Sequence, residues 1–123
     1  MKTVLVVEDN KDNLQIITYA LQRAGYEVVA AETGELGVEL AIARRPFFVL
    51  MDINLPGIDG IEATRRIRAS GVDGSIPIIA ITSYAMRGDR EKIMAAGCNG
   101  YFEKPVDPLT IVAQIHKVIG IDQ

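Results

Sequence analysis

At 123 residues the chain has the length of one domain, 1–123, and with 49% hydrophobic and 24% charged residues it has the make-up of a soluble globule able to bury a core. A net charge of −3 argues against a protein that coats nucleic acid through its phosphates, so no direct nucleic-acid partner is expected. No apolar run nears the roughly 20 residues of a membrane span, the start MKTVLVVEDN turns acidic too early for a signal peptide, and the single Cys98 cannot form an internal disulfide, which together suit a cytoplasmic protein without a membrane partner and make Cys98 a small buried residue.

Thr3–Val7 (TVLVV) reads as a buried strand that ends on two carboxylates, Glu8 and Asp9. Asn10 or Asp12 can cap the helix that follows, whose apolar stripe is Leu14, Ile17, Leu21 and Ala24, with Gly25 as its stop. Glu27–Ala31 is a short second strand. Thr33 can cap a second helix with Val38, Ala41 and Ile42 on one face, closed by Arg44, Arg45 and Pro46. Phe47–Asp52 (FFVLMD) is a third buried strand, five apolar residues that end on a carboxylate. An ionised carboxylate does not stay deep in such a layer without a partner, so Asp52 belongs where the strand surfaces.

Residues 53–60 (INLPGIDG) have the glycines and proline of a loop, and Asp59 with Glu62 is a capping-box-like start for a third helix. Arg65, Arg66 and Arg68 read as its solvated outer face. After the loop 70–75, Ile76–Ile81 is a fourth strand that ends on Thr82 and Ser83. A fourth helix over about 85–96 carries Gly88 in its first turns, which predicts a weak start, and Gly97 ends it. Tyr101 and Phe102 form a short last strand before Glu103, Lys104 and Pro105. Asp107 and Pro108 read as the start of the last helix, with proline first, Leu109, Val112, Ile115 and Ile119 on its inner side and His116 exposed.

Five strands alternating with five helices predict an α/β doubly wound, three-layer sheet protein. In a parallel sheet all strand ends share one edge, and in open α/β sheets that edge binds ligands. If the first and third strands are neighbours, Glu8, Asp9 and Asp52 converge there. Carboxylates so placed repel one another unless a cation answers them, and Mg²⁺ takes hard oxygen ligands while keeping waters for an incoming phosphate. Lys104 adds a positive charge and Thr82 a hydroxyl. Such a set suits attack by Asp52 on a phosphoryl group. The chain has no GxGxxG or GxxxxGK[ST] loop, and with one histidine and one cysteine it lacks the parts of a zinc site or a Ser-His arrangement.

VLVVEDN, FFVLMDINLPGIDG, PIIAITSYA and YFEKP together resemble the motifs of two-component response-regulator receiver domains, over nearly the whole chain. The resemblance implies a flavodoxin-like (βα)5 fold with strand order 2-1-3-4-5. It implies Asp52 as the phosphoacceptor, Glu8, Asp9, Asp52 and the backbone carbonyl of Asn54 as Mg²⁺ ligands, and Lys104 as the partner of the phosphoryl group. Thr82 and Tyr101 would form the switch, the Lys104–Pro105 bond would be cis, and Asn54 and Tyr84 would tune phosphate lifetime, a bulky Tyr84 slowing self-hydrolysis. The implied donor is a histidine kinase or a histidine phosphotransfer protein, and the implied output is a protein target on the face made by the fourth helix, last strand and last helix, as a monomer or a phosphorylation-linked dimer. No enzyme is expected beyond self-phosphorylation and slow self-dephosphorylation. Two other readings are a Mg²⁺-dependent aspartyl-phosphate phosphohydrolase, for which Asn54 stands where a second Asp would be needed, and a receiver-like interaction module that takes no phosphate.

Overall fold

The computed structural model describes residues 1–71, 76–83 and 87–121, with only the backbone described at residues 87 and 88. The elements run in chain order as β1 (Thr3–Val7), α1 (Lys11–Arg23), β2 (Glu27–Ala31), α2 (Gly34–Arg44), β3 (Val49–Asp52), α3 (Gly60–Ala69), β4 (Ile78–Thr82), α4 (Arg87–Ala96), β5 (Gly100–Glu103) and α5 (Ile111–Ile119). All strand pairs are parallel and the order is β2-β1-β3-β4-β5, the flavodoxin-like arrangement.

Because side chains alternate along a strand, the sheet has two distinct faces. Val4, Val6, Leu50, Ile79 and Ile81 face α1 and α5, where Ile17, Leu21, Ile111 and Ile115 cover them. Leu5, Val7, Val49, Met51, Ile78 and Ala80 face the other layer, where Ala41, Ala63, Ile67 and Ile93 of α2, α3 and α4 cover them. The central strands read as unbroken apolar runs because both of their faces are covered.

Side chains fix where three helices begin. Asn10 Oδ1 accepts from the Asn13 N–H at 2.9 Å, Thr33 Oγ1 from Leu36 at 3.1 Å and Asp59 Oδ1 from Glu62 at 2.8 Å. The reciprocal arm of a capping box at Asp59 is not made; the Glu62 carboxylate instead accepts from Arg66 Nε at 2.9 Å.

Several expectations are corrected. Strand β3 spans Val49–Asp52 rather than beginning at Phe47, although Phe48 is fully buried and the Phe47 N–H already donates to the Thr3 carbonyl at 2.8 Å. Strand β4 spans Ile78–Thr82, since Pro77 has no N–H to give a ladder, and β5 gains Gly100 and Glu103. Ala24 is the C-cap of α1 and exposed, Ala20 taking its place in the core. Ile42 is exposed because α2 lies on the sheet through Gly34, Gly37 and Ala41. A Cβ at Gly37 would lie 2.8 Å from Val7 Cγ2, so only a bare backbone allows that approach. Helix α5 begins at Ile111, not Pro108: the Asp107 carbonyl accepts from Thr110 and Ile111, and the turn they close leaves Leu109 92% exposed. The expected start of α4 at Ala85 lies outside the described residues.

Arg68 and His116 are also corrected. Arg68 is half-buried and donates from Nε and Nη2 to the Gly97 carbonyl and from Nη2 to Asn99 Oδ1 at 2.9 Å, tying α3 to the α4–β5 turn. His116 is 4% exposed, and its Nε2 lies 2.6 Å from the Tyr26 hydroxyl, edge-on to that ring. Cys98 is buried as expected, 3.7 Å from Thr64 Oγ1.

Candidate functional site at the carboxyl edge of the sheet

The register builds the site. Val7 pairs with Met51, Asp52 with Ile81 and Thr82 with Glu103. One residue further along each strand brings Glu8 beside Asp52 and Lys104 past the end of β5. By alternation Glu8, Asp52 and Lys104 share the face of Val6, Leu50 and Phe102, towards α1 and α5, whereas Thr82 and Tyr101 share the face of Ala80, towards α4.

Asp52 is 1% exposed, and both of its oxygens are held. Oδ1 accepts from the backbone N–H of Asn54 at 3.0 Å, and Oδ2 accepts from Lys104 Nζ at 3.0 Å. The first contact exists because the chain turns directly after β3. That turn is closed by the Gly60 N–H donating to the Ile53 carbonyl at 3.0 Å. Its tightness leaves no room at Gly60, where a Cβ would collide with the Asp52 carbonyl oxygen and lie 2.8 Å from Ile53 Cα. Gly57 takes a left-handed φ of 74° after Pro56, which bends the loop back toward α2.

Glu8 is equally buried. Its Oε2 accepts from the Asn10 N–H at 3.1 Å, while Oε1 has no hydrogen-bond partner and meets Lys104 Nζ only at ion-pair distance, 3.4 Å. Burial, then the neighbouring Asp52 carboxylate, pushes the Glu8 carboxyl up to about 7. Burial alone would push the Lys104 ammonium down, but the carboxylates of Asp52 and Glu8 prevail and hold it above its ordinary value. Lys104 is fixed by its own backbone, whose N–H donates to the Thr82 carbonyl at 2.8 Å; the Lys104–Pro105 bond that follows is cis.

Asp9 is exposed at the rim, and oxygens of Glu8, Asp9 and Asp52 all lie within 4.8 Å of one another. Three hard oxygen donors against one ammonium leave negative charge in excess, and Glu8 Oε1, an ion-pair partner of Lys104 with no hydrogen bond of its own, offers a further oxygen to a cation. The set fits a small divalent cation that binds through carboxylates and keeps water ligands. Thr82, 2% exposed, borders a hollow of about 110 Å³ lined by Ile53, Asn54, Ile61, Asp89 and Ile93. Tyr101 is half-buried on the same side, with the Arg90 guanidinium carbon 5.3 Å from its ring centroid. Sequence reasoning passed over Asp89 and Arg90, and only their helical spacing from the buried Ile93 points to them. Tyr84 lies outside the described residues. A larger groove, about 950 Å³, runs between α1 and the start of α5 and is lined by Ile16, Tyr19 and Leu109; neither Glu8, Asp9, Asp52 nor Lys104 lines it.

The family model for the response regulator receiver domain matches residues 4–116. The polar-differentiation response regulator DivK of Brucella anthropi is 35% identical over 119 residues, which span 97% of this chain and 97% of that protein. Among solved structures, the chemotaxis protein CheY4 of Vibrio cholerae aligns with a TM-score of 0.90 at 29% identity, over 96% of this chain and 98% of that one. The receiver domain of the sensor histidine kinase PA1611 of Pseudomonas aeruginosa PAO1, solved with a magnesium ion coordinated in its active site cleft, is 39% identical with a TM-score of 0.88, over 97% of this chain and 98% of that one.

Proposed function

Since the chain belongs to the response regulator receiver domain family, we propose that it is a phospho-accepting signalling switch in which Asp52 takes a phosphoryl group from a phosphohistidine donor, a histidine kinase or a histidine phosphotransfer protein. The observation that carries this reading is the state of Asp52. It is a nearly fully buried carboxylate at the end of a central strand, held on one oxygen by a backbone N–H and on the other by a lysine, with two further acids beside it.

In the transfer an Asp52 carboxylate oxygen attacks phosphorus, the donor's N–P bond breaks, an O–P bond forms, and the histidine ring recovers its neutral state with a proton from solvent. The Asn54 N–H and Lys104 orient Asp52 before the attack, so little reorganisation remains to be done. Glu8, Asp9, Asp52 and the Asn54 carbonyl would hold Mg²⁺. A bound magnesium ion supplies positive charge for the transferring oxygens. Lys104 moves its ammonium from the carboxylate to the phosphoryl oxygens, and Thr82 donates its hydroxyl to them. The Lys104 side chain is 18% exposed, which supports its reach toward an incoming group.

The output follows from Thr82 and Tyr101 sharing the α4 side. Inward movement of Thr82 frees space, Tyr101 turns toward it, and the surface of α4, β5 and α5 changes for a protein target. The readout is a shift between two states that differ in affinity for the phosphoryl group. Asn54, beside the site, and Tyr84 would set how long the acyl phosphate survives.

Intact mass after incubation with acetyl phosphate tests the chemistry. One added phosphoryl group is expected on the wild type with Mg²⁺, none without Mg²⁺, and none on Asp52→Asn. Uptake by Asp52→Asn, or no uptake of either acetyl phosphate or beryllofluoride by the wild type, overturns the reading.

A further inference from the structure

Arg90 stands three residues before the fully buried Ile93, just under one helical turn, so it is a helix-surface neighbour of that anchor of α4. Its guanidinium carbon is 5.3 Å from the centroid of the Tyr101 ring. That is within the range of a cation–π contact, and Arg90 itself is exposed. Tyr101 pairs with Ala80, two residues before the Thr82–Glu103 pair, and so lies on the Thr82 side of the sheet. We propose that Arg90 is a positioning residue that latches Tyr101 in its half-buried orientation and so sets the threshold at which a phosphoryl group on Asp52 recruits the ring. The inference rests on the phospho-acceptor reading above.

Turning the ring inward toward Thr82 would take it away from the exposed Arg90 guanidinium, so the stack favours the half-buried orientation of Tyr101 over the inward one. A contact made in only one of two states shifts their ratio by its full free energy. For an exposed cation–π pair the shift is about two- to fivefold. Removing the guanidinium therefore makes activation easier. Among the described residues the cation in ion-pair contact with Asp52 is Lys104, and the contact that Arg90 makes is with the Tyr101 ring.

The test titrates beryllofluoride in the presence of Mg²⁺ and follows the amide NMR signals around Asp52 and Thr82. The proteins are wild type, Arg90→Ala, Arg90→Lys, Tyr101→Leu and the Arg90→Ala, Tyr101→Leu pair. Arg90→Ala should bind beryllofluoride about two- to fivefold more tightly than wild type. Arg90→Lys should fall between them, because an ammonium can also sit over the ring. In the Tyr101→Leu background, Arg90→Ala should change nothing. An unchanged affinity in Arg90→Ala, or the same gain with and without Tyr101, overturns the latch while leaving the phospho-acceptor reading intact. A wild type that takes up no beryllofluoride overturns that reading and the latch with it.

Discussion

Replacing Glu8 by Gln should make the metal-free protein more stable at pH 8, although it removes one partner of an ion pair. The Glu8 carboxyl stands at about 7 in the folded protein against an ordinary value of 4.5. A carboxyl raised on folding holds its proton more tightly in the native state than in the unfolded chain. The stability this contributes is present in full below pH 4.5 and is lost as the pH rises through about 7. Between pH 5 and pH 8 the wild type should therefore lose about 2 to 3 kcal/mol from this group. Glu8→Gln is neutral throughout and should keep it. With urea slopes of about 1 to 3 kcal/mol/M, the variant's midpoint at pH 8 should exceed that of wild type by about 1 M or more. The two should converge toward pH 5, where the native carboxyl is protonated. Urea unfolding in chelator at both pH values measures this. Millimolar Mg²⁺ should restore the wild type at pH 8, because the ionised carboxylate gains its cation, and should help the variant less. Parallel pH profiles for the two proteins, or a wild type more stable than Glu8→Gln at pH 8 without metal, would refute the reasoning.

Gly60→Ala forces a methyl group into the Asp52 carbonyl, a backbone atom that no rotamer change can move aside. It should cost about 3 kcal/mol, read as a fall of about 10 °C in melting temperature, and slow phosphorylation by displacing Asp52. An unchanged melting temperature would contradict the packing described. Tyr26→Phe leaves a nitrogen of the buried His116 without its partner at 2.6 Å and should cost about 1 to 2 kcal/mol. Adding His116→Leu should recover part of that loss, and strictly additive losses in a double-mutant cycle would show that the pair is not coupled. Lys104→Met should bind Mg²⁺ more tightly, since the ammonium at 3.0 and 3.4 Å from two of the carboxylates no longer opposes the cation, yet accept phosphate from acetyl phosphate about 10²-fold more slowly. Calorimetry and intact mass separate the two effects, and a joint loss of metal and phosphate would count against the assigned role.

The layered fold and the gathering of Glu8, Asp9 and Asp52 were legible because each central strand is an apolar run that stops on a polar residue. Length and termination of such runs are local properties. Their starts were not legible, since Phe47 and Phe48 are as apolar as the paired residues, and only the register against β1 decides where the ladder begins. His116 was misread from its neighbours Gln114 and Lys117. Its spacing of four from Val112 placed it on the inner stripe, and that signal outweighs the polarity of the ring once Tyr26, ninety positions away, supplies a partner. Arg68 failed for the same reason: its acceptors on Gly97 and Asn99 are brought to it by tertiary structure alone. Leu109 was lost to a cap, because Asp107 Oδ1 accepts from the Leu109 N–H at 2.9 Å and the chain completes a turn before the helix sets in.

The two faces of the sheet have a consequence for how such a protein can diverge. Glu8, Asp52 and Lys104 are rooted in the layer shared with α1 and α5, and Thr82 and Tyr101 in the layer shared with α4. The boundary between them is the sheet itself, one backbone thick, and is crossed only at the strand tips. Substitutions that repack α4 can thus redraw the outer surface on that side without disturbing the acid–lysine network. A one-residue insertion in β4 has the opposite character. Placed just before Thr82, it would exchange between the layers only the side chains that follow it and turn Thr82 away from α4, uncoupling the two halves while leaving each assembled.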